Sequence, residues 1–242
     1  MHLIIEDSSD SLSRRIAKDI IAIMQPYEKP LLCPATGHTT IGLYRELAAL
    51  HEQQKLNAGS WYYVGLDEWR GLNELDEGSC KQSLNEQLFN PLAVAEDHVC
   101  FFDGRAADLI YECTRIEKFI RQHGTIDLSV LGLGLNGHVG MNEPGSTRFE
   151  RSHVATLDAQ TQQVSQKYFS DKKLVSQGIT LGLGTLLDSK HIFLIVTGKH
   201  KAEIIKTVIE GDITEAIPAS LLRNHKDFTI YLDADAASLL KV

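Results

Sequence analysis

Short apolar runs that lack polar alternation recur along this chain, and each is followed by an amphipathic stretch. The runs predict strands at residues 30–35, 61–66, 99–102, 126–134, 191–198 and 228–233, with a further strand at 151–157. The amphipathic stretches predict helices at residues 11–24, 41–50, 79–89, 105–123, 179–187, 199–210 and 234–241. Strands that are apolar on both faces and separated by helices are typical of a mainly parallel sheet covered on both sides. We therefore expect an α/β fold.

The composition is that of a folded, acidic protein. Of 242 residues, 43% are hydrophobic, and 32 acidic residues against 24 basic residues give a net charge of −8. This balance argues against disorder and against general nucleic-acid binding, which requires a basic surface. The length is sufficient for one large core, so we expect a single domain over residues 1–242.

The sequence predicts neither a membrane segment nor a metal site. No apolar run approaches the length of about 18 residues that a membrane span requires, and the acidic start lacks the basic region of a signal peptide. The cysteines lie far apart, and neither they nor the histidines have the spacing of metal ligands. We therefore predict free thiols and a location in the reducing cytoplasm.

Four connecting segments directly follow predicted strands. They span residues 35–40, 67–78, 133–150 and 197–201. In parallel α/β sheets, ligands bind beyond the carboxyl ends of the strands. The sequence therefore predicts a site where these four segments meet.

The first and last of these segments suit an anionic ligand. Thr36, Gly37 and Thr39 lie between a strand and a helix, where backbone N–H groups and hydroxyls can bind a phosphate. Lys201 lies in the first turn of a predicted helix, where the helix dipole disfavours a cation unless an anion is bound. The alternatives are a turn in which Thr39 only caps the helix, and a solvated lysine. The pattern matches no nucleotide-binding motif.

The two middle segments carry groups suited to acid–base chemistry. Asp67 and Glu68 directly follow a strand, and partial burial of such a carboxylate can raise its pKa and make it a general base. The alternative is an acidic helix cap. In the third segment, His138 and Glu143 share a glycine-rich loop, with Asn142 between them. A histidine oriented by a carboxylate can transfer protons near neutral pH, whereas a lone histidine is more often structural.

Five blocks of this sequence resemble the glucosamine-6-phosphate deaminase family, whose members are also called glucosamine-6-phosphate isomerases. The blocks are residues 34–39, LDEWRGL at 66–72, LGLGLNGHVGMNEPGS at 131–146, LGLGTLLDSK at 181–190 and VTGKHKA at 196–202. The resemblance extends roughly from Leu32 to Leu240, and the block from NGH to NEPG is close to diagnostic. It implies a three-layer α/β/α, Rossmann-like sandwich with a mainly parallel sheet. It also implies a cofactor-free reaction in which glucosamine 6-phosphate and water give fructose 6-phosphate and ammonia.

The resemblance implies roles for individual residues. Asp67 matches the base that moves a proton between C2 and C1 of the sugar. His138 matches the histidine that helps to open the sugar ring, and Glu143 matches its carboxylate partner. The residues that match the family's phosphate-binding groups are Thr36, Gly37, Thr39 and Lys201.

Three positions depart from the family pattern. Asn136 stands where many members have an aspartate, and it can orient His138 without adding charge. His38 stands where the family often has glycine, and Lys167 where it has a phosphate-binding arginine. We expect His38 and Lys167 to contact the phosphate, although lysine lacks the bidentate geometry of arginine.

The expected assembly is a monomer or a small homo-oligomer. Hexameric members of the family bind an allosteric sugar phosphate through a basic pair, and the matching positions here hold His153 and Ala155. We therefore expect no strong activation by N-acetylglucosamine 6-phosphate.

Three other functions are open at the level of sequence. The first is the same reaction on galactosamine 6-phosphate, giving tagatose 6-phosphate, which the unusual context at 69–70 and 78–80 weakly favours. The second is hydrolysis of 6-phosphogluconolactone, against which the NEP block argues. The third is a non-catalytic sugar-phosphate sensor, which would not need Asp67, His138 and Glu143 together. In each case the expected partner is a small sugar phosphate and neither a nucleic acid nor a membrane.

Overall fold

The computed structural model describes residues 1–241, so Val242, which the single-domain prediction includes, lies outside the described residues. Within this range the strands are β1 (His2–Glu6), β2 (Leu31–Cys33), β3 (Tyr62–Val64), β4 (Asp67–Trp69), β5 (Val99–Cys100), β6 (Leu128–Gly132), β7 (His153–Thr156), β8 (Gln177–Thr180), β9 (His191–Val196) and β10 (Phe228–Asp233). The α-helices are α1 (Ser9–Met24), α2 (His38–Glu52), α3 (Cys80–Leu84), α4 (Leu109–Gln122), α5 (Ala159–Ser165), α6 (Leu183–Leu187), α7 (Ala202–Glu210) and α8 (Ala234–Ala237).

Seven of the described strands form one parallel sheet, in the order β1–β10–β9–β6–β2–β3–β5. Successive side chains of a strand point to opposite faces, so each central strand contributes to two hydrophobic clusters. Phe193 packs in the cluster that includes α1 and α2, whereas Leu194 packs with α4, α7 and α8. The predicted α/β/α sandwich with a mainly parallel sheet is confirmed. The single domain stays a prediction.

The order of the strands reverses between β2 and β6. From β2 the chain proceeds through β3 to β5 on one side, and from β6 it proceeds through β9 to β10 on the other. The connections after β2 and β6 therefore leave the sheet in opposite directions, which opens a crevice at its carboxyl edge. This is the position where the sequence predicted a site.

The other three described strands form a small antiparallel sheet, in the order β4–β8–β7. The prediction that residues 67–78 are entirely loop was therefore wrong at its start, because Asp67–Trp69 pairs with Gly178–Thr180. The predicted helix at 179–187 was wrong over its first residues for the same reason. Ile179 and Thr180 pair with Glu68 and Asp67 as the end of β8, and α6 begins only at Leu183.

Several element boundaries also differ from prediction. The helix predicted at 105–123 begins at Leu109, because the Asp108 carboxylate caps the first turn. The helix predicted at 79–89 is α3 followed by a π-helical turn, Asn85–Phe89, and the closing helix is only α8. The strand predicted at 151–157 is confirmed as β7. The sequence did not predict β1 or α5, which are a half-exposed edge strand and a short polar helix.

Candidate active site

A cavity of about 270 Å³ opens at the crevice between β2 and β6. All four predicted segments contribute to its lining, and a fifth contribution comes from α5 and the turn that follows it. The predicted site residues that line it are Thr36, Gly37, His38, Thr39, Asp67, Asn136, His138, Lys167 and Lys201. Glu143 is not in the lining, but its Oε2 lies 3.5 Å from Nδ1 of His138.

The turn after β2 supplies one end of the cavity. Gly37 is the residue before α2 and has a φ of +121°, a conformation that side chains disfavour. The first N–H groups of a helix have no partner within the helix, so the start of α2 offers backbone donors to an anion. Thr40 secures the turn by donating its hydroxyl to the carbonyl of Gly37 at 3.0 Å. Thr39 is within the helix and is not its cap, contrary to the alternative interpretation.

Two lysines face the same cavity. Lys201 was predicted in the first turn of a helix, but it lies in a 3₁₀ turn just before α7. Its Nζ donates to the carbonyl of Leu133 at 2.5 Å. Burial, with repulsion from Lys167, lowers the pKa of Lys201 to about 8. Burial also lowers the pKa of Lys167. An anion bound between them would stabilise both positive charges and reverse these shifts.

Asp67, the first residue of β4, is buried in the cavity wall. Burial raises the pKa of its carboxyl to about 6, against the opposing effects of a hydrogen bond from Cys80 and the charge of His138. A carboxyl with this pKa is ionised at neutral pH and is a stronger base than an exposed aspartate. Its properties are those of a general base.

Glu68 has a different environment, because adjacent residues of a strand point to opposite faces. It is fully buried outside the cavity lining and accepts four hydrogen bonds. The donors are the backbone N–H groups of Trp69, Cys80 and Lys81 and the hydroxyl of Ser79, at 2.8–3.0 Å. Burial raises its pKa to about 7 even though these bonds act in the opposite direction. Glu68 therefore fastens the start of α3 to β4.

His138 is held by a set of short-range contacts. Its Nδ1 lies 3.5 Å from Oε2 of Glu143 and 3.2 Å from the hydroxyl of Thr161. Asn136 connects the histidine and the carboxylate, since its Nδ2 donates to Glu143 at 2.7 Å and its Oδ1 accepts from the backbone N–H of His138 at 3.1 Å. With Nδ1 engaged, Nε2 is the ring nitrogen left for a ligand.

Glu143 is suited to orient His138 as an anion. Burial acts to raise the pKa of this carboxyl, but hydrogen bonds from His138, Thr161 and Asn136 outweigh it and the pKa is lowered. Asn142 takes no part in this connection. Its side chain donates to the carbonyls of Val139 and Leu181 at 2.9 Å and holds the loop in place.

One glycine makes room for the histidine ring. A Cβ on Gly134 would stand 2.3–2.4 Å from three atoms of the His138 ring. Such a contact cannot be accommodated without moving the ring. Gly134 is therefore required for steric reasons beside His138, the proposed proton-transfer group.

The sequence did not predict two residues of the site. Thr161, on α5, contacts His138, and Tyr168, at the end of the 3₁₀ turn Gln166–Tyr168, lines the cavity. Neither lies after a strand of the parallel sheet, so the rule that selected the four segments did not reach them. Their only signal in the sequence was proximity to Lys167.

Among residues 1–241, no group of three or more His, Cys, Asp or Glu side chains is arranged to hold a metal ion. No helix within that range is long and apolar enough to cross a membrane.

The chain is similar in sequence to known proteins over most of its length. A sequence profile described as glucosamine-6-phosphate isomerases/6-phosphogluconolactonase matches residues 5–231. Glucosamine-6-phosphate deaminase 1 of Bacillus subtilis is 39% identical over 231 residues, covering 94% of this chain and 93% of that protein. The glucosamine-6-phosphate deaminase of Cellvibrio japonicus is also 39% identical, covering 90% of this chain and 84% of that protein.

Solved structures show the same fold. One, described as a monomeric glucosamine-6-phosphate deaminase, superposes with a TM-score of 0.96 at 36% identity and covers 99% of this chain and 100% of its own. A 6-phosphogluconolactonase from Trypanosoma cruzi superposes with a TM-score of 0.79 at 22% identity and covers 100% of this chain and 97% of its own. At that identity the second likeness concerns the fold alone.

Proposed function

Because this chain belongs to the family of glucosamine-6-phosphate isomerases and 6-phosphogluconolactonases, we propose that it converts glucosamine 6-phosphate and water to fructose 6-phosphate and ammonia. The observation that carries the proposal is the composition of one cavity. Asp67, His138 and two lysines line the same space of about 270 Å³. The curated relatives that match over most of this chain are named for this activity.

The phosphate of the substrate binds at the turn of residues 36–39. The start of α2 supplies N–H donors and the positive end of the helix dipole, and Lys201 and Lys167 supply charge. His38, in the first turn of α2, also lines the cavity and is placed to contact the phosphate. Anchoring the phosphate fixes the position of the sugar carbons and lowers the entropic cost of reaction.

The second step is opening of the sugar ring at His138. The ring opens when the proton of the C1 hydroxyl is removed and the ring oxygen O5 is protonated. A histidine whose Nδ1 is held by Glu143 and Thr161 can carry out both transfers through Nε2. Asn136 fixes the geometry of the pair without adding a second negative charge.

Proton transfer between C2 and C1 then falls to Asp67. Its carboxylate removes the C2 proton while O1 is protonated, which gives an enol bearing the amino group at C2. The protonated Asp67 returns the proton to C1, and the product is a C2 iminium. Water adds to C2, ammonia leaves, and the C2 carbonyl of the ketose forms. A base with a pKa of about 6 is matched to this task near neutral pH.

We also propose that the protein acts as a monomer in the cytoplasm. A structure described as monomeric matches the whole length of the chain, and Cys33, Cys80, Cys100 and Cys113 are buried free thiols. Light scattering after gel filtration tests the first statement, and a dimer or larger assembly would contradict it. A sigmoidal velocity curve relieved by N-acetylglucosamine 6-phosphate would contradict the expected lack of allosteric activation.

The decisive experiment measures ammonia release from glucosamine 6-phosphate and galactosamine 6-phosphate in parallel and identifies the ketose formed. Turnover of the first to fructose 6-phosphate supports the proposal. A preference for the second keeps the chemistry and changes the substrate to the C4 epimer. Release from neither refutes both, and hydrolysis of 6-phosphogluconolactone is then assayed on the same preparation.

A further inference from the structure

The Tyr168 side chain lines the cavity between the turn after β2 and strand β4. Its hydroxyl stands 3.4 Å from where a Cβ on Gly37 would be, so it borders the turn to which the phosphate is assigned. On the side of β4 the side chain shares the cavity lining with Asp67, and its ring lies 6.3 Å from that of Trp69 between centroids. Burial, with the neighbouring Cys80 and Asp67, raises the pKa of Tyr168 to about 12. The hydroxyl is therefore a neutral group that can donate and accept.

The ring that carries this hydroxyl is fixed from several sides. The His38 ring is 6.0 Å from it between centroids, the Trp69 ring is 6.3 Å from it, and Nζ of Lys167 lies 5.0 Å above its face. The backbone is fixed as well, because Gly78 packs so tightly against it that a Cβ there would stand 2.4 Å from the carbonyl oxygen of Tyr168.

Among residues 1–241, no side chain or backbone group hydrogen-bonds to the Tyr168 hydroxyl. A polar group held rigidly in a cavity wall and left unpaired is placed to bind a ligand atom.

We infer that the Tyr168 hydroxyl binds the hydroxyl on C3 or C4 of the substrate. The inference rests on the proposed function, which puts the phosphate on C6 at residues 36–39 and C1 and C2 at Asp67. The atoms between these ends are C3, C4 and C5, and the oxygen on C5 belongs to the ring that His138 opens. The hydroxyls on C3 and C4 are the groups left for Tyr168. Tyr168 is thus a substrate-binding residue that recognises the middle of the sugar.

The test compares Tyr168→Phe with Tyr111→Phe in the full chain. Tyr111 is 64% exposed and lies on α4, away from the cavity, so its variant controls for loss of a tyrosine hydroxyl. With glucosamine 6-phosphate, Tyr168→Phe should lower kcat/KM by about 2- to 13-fold, the range for one neutral hydrogen bond. The melting temperature should stay that of the unmodified protein, because the hydroxyl has no partner to lose.

Deoxy substrates identify the contact. Two deoxy substrates are compared, 3-deoxy- and 4-deoxyglucosamine 6-phosphate. With the one that lacks the contacted hydroxyl, the unmodified protein and Tyr168→Phe should have equal kcat/KM, because neither protein can form the bond. The inference is overturned if Tyr168→Phe matches Tyr111→Phe on glucosamine 6-phosphate, or if its loss is undiminished with both deoxy substrates. Absence of any ammonia release by the unmodified protein is a different result, which refutes the proposed function and this inference with it.

Discussion

The replacement Glu68→Gln tests whether the second carboxylate of the site is structural. The carboxylate accepts two hydrogen bonds at each oxygen, from Trp69 and Cys80 at Oε1 and from Ser79 and Lys81 at Oε2. A glutamine amide has one oxygen, so it can keep at most one of these two pairs. Its NH₂ group would face the backbone N–H of Lys81, donor against donor.

The magnitude follows from these contacts. One backbone N–H loses its acceptor, which costs about 1–3 kcal/mol, and the bonds that remain lose the strength that a charged acceptor provides. Relief of the burial cost of the charge, which raises the pKa of Glu68 to about 7 despite the four hydrogen bonds, offsets much of this loss. We expect a net destabilisation of about 1 kcal/mol, or a melting temperature lower by about 2–4 °C for a chain of this size.

The assay is urea unfolding at pH 8, where Glu68 is ionised, with circular dichroism as the signal. The matched control is Glu86→Gln, because Glu86 is an exposed acceptor of one hydrogen bond from Gln82 at 3.0 Å. The control should change the free energy of unfolding by less than about 0.5 kcal/mol. If Glu68→Gln changes it no more than the control does, the four hydrogen bonds do not fasten α3 to β4 and the reasoning is refuted.

The remaining predictions concern the cavity and its wall. Asp67→Asn should lower kcat by about 10²–10⁴-fold with KM nearly unchanged, and a parallel rise in KM would contradict its role as the base. Because burial raises the pKa of Asp67 from 3.8 to about 6, its ionisation should cost the protein up to about 3 kcal/mol of stability as the pH rises through this window. Asp67→Asn should remove this part of the loss in urea titrations at pH 4 and 7, while the part due to Glu68, whose pKa is raised to about 7, remains; an unchanged loss would refute the shift at Asp67. The kcat/KM of the unmodified protein should fall above about pH 8 as Lys201 loses its proton, and Lys201→Arg should move that fall to higher pH; an unmoved limb would assign it to another group. Gly78→Ala should destabilise the protein more than Gly71→Ala does, because both glycines have positive φ but only at Gly78 does the added Cβ meet Tyr168; equal melting temperatures would refute the clash.

The chemistry of the candidate site was largely predictable from the sequence. Nine of the ten predicted site residues line the cavity, and the tenth, Glu143, contacts His138 from behind. The four segments could be assigned to one place because a parallel sheet brings the carboxyl ends of its strands to one edge. The choice of His38, Asn136 and Lys167 came from the family resemblance. Thr161 on α5 and Tyr168 in the turn after it escaped prediction, because neither directly follows a strand of the parallel sheet.

The sequence by itself determined the layered α/β architecture and the types of group at its carboxyl edge, because apolar runs and intervening amphipathic stretches are local patterns. Only the tertiary structure decided that Asp67 faces the cavity and Glu68 faces the start of α3. That division depends on the pairing of β4 with β8, more than one hundred residues further along the chain, which sets the faces of a strand whose side chains alternate. The pKa of about 6 at Asp67 has the same origin, since burial by distant segments raises it.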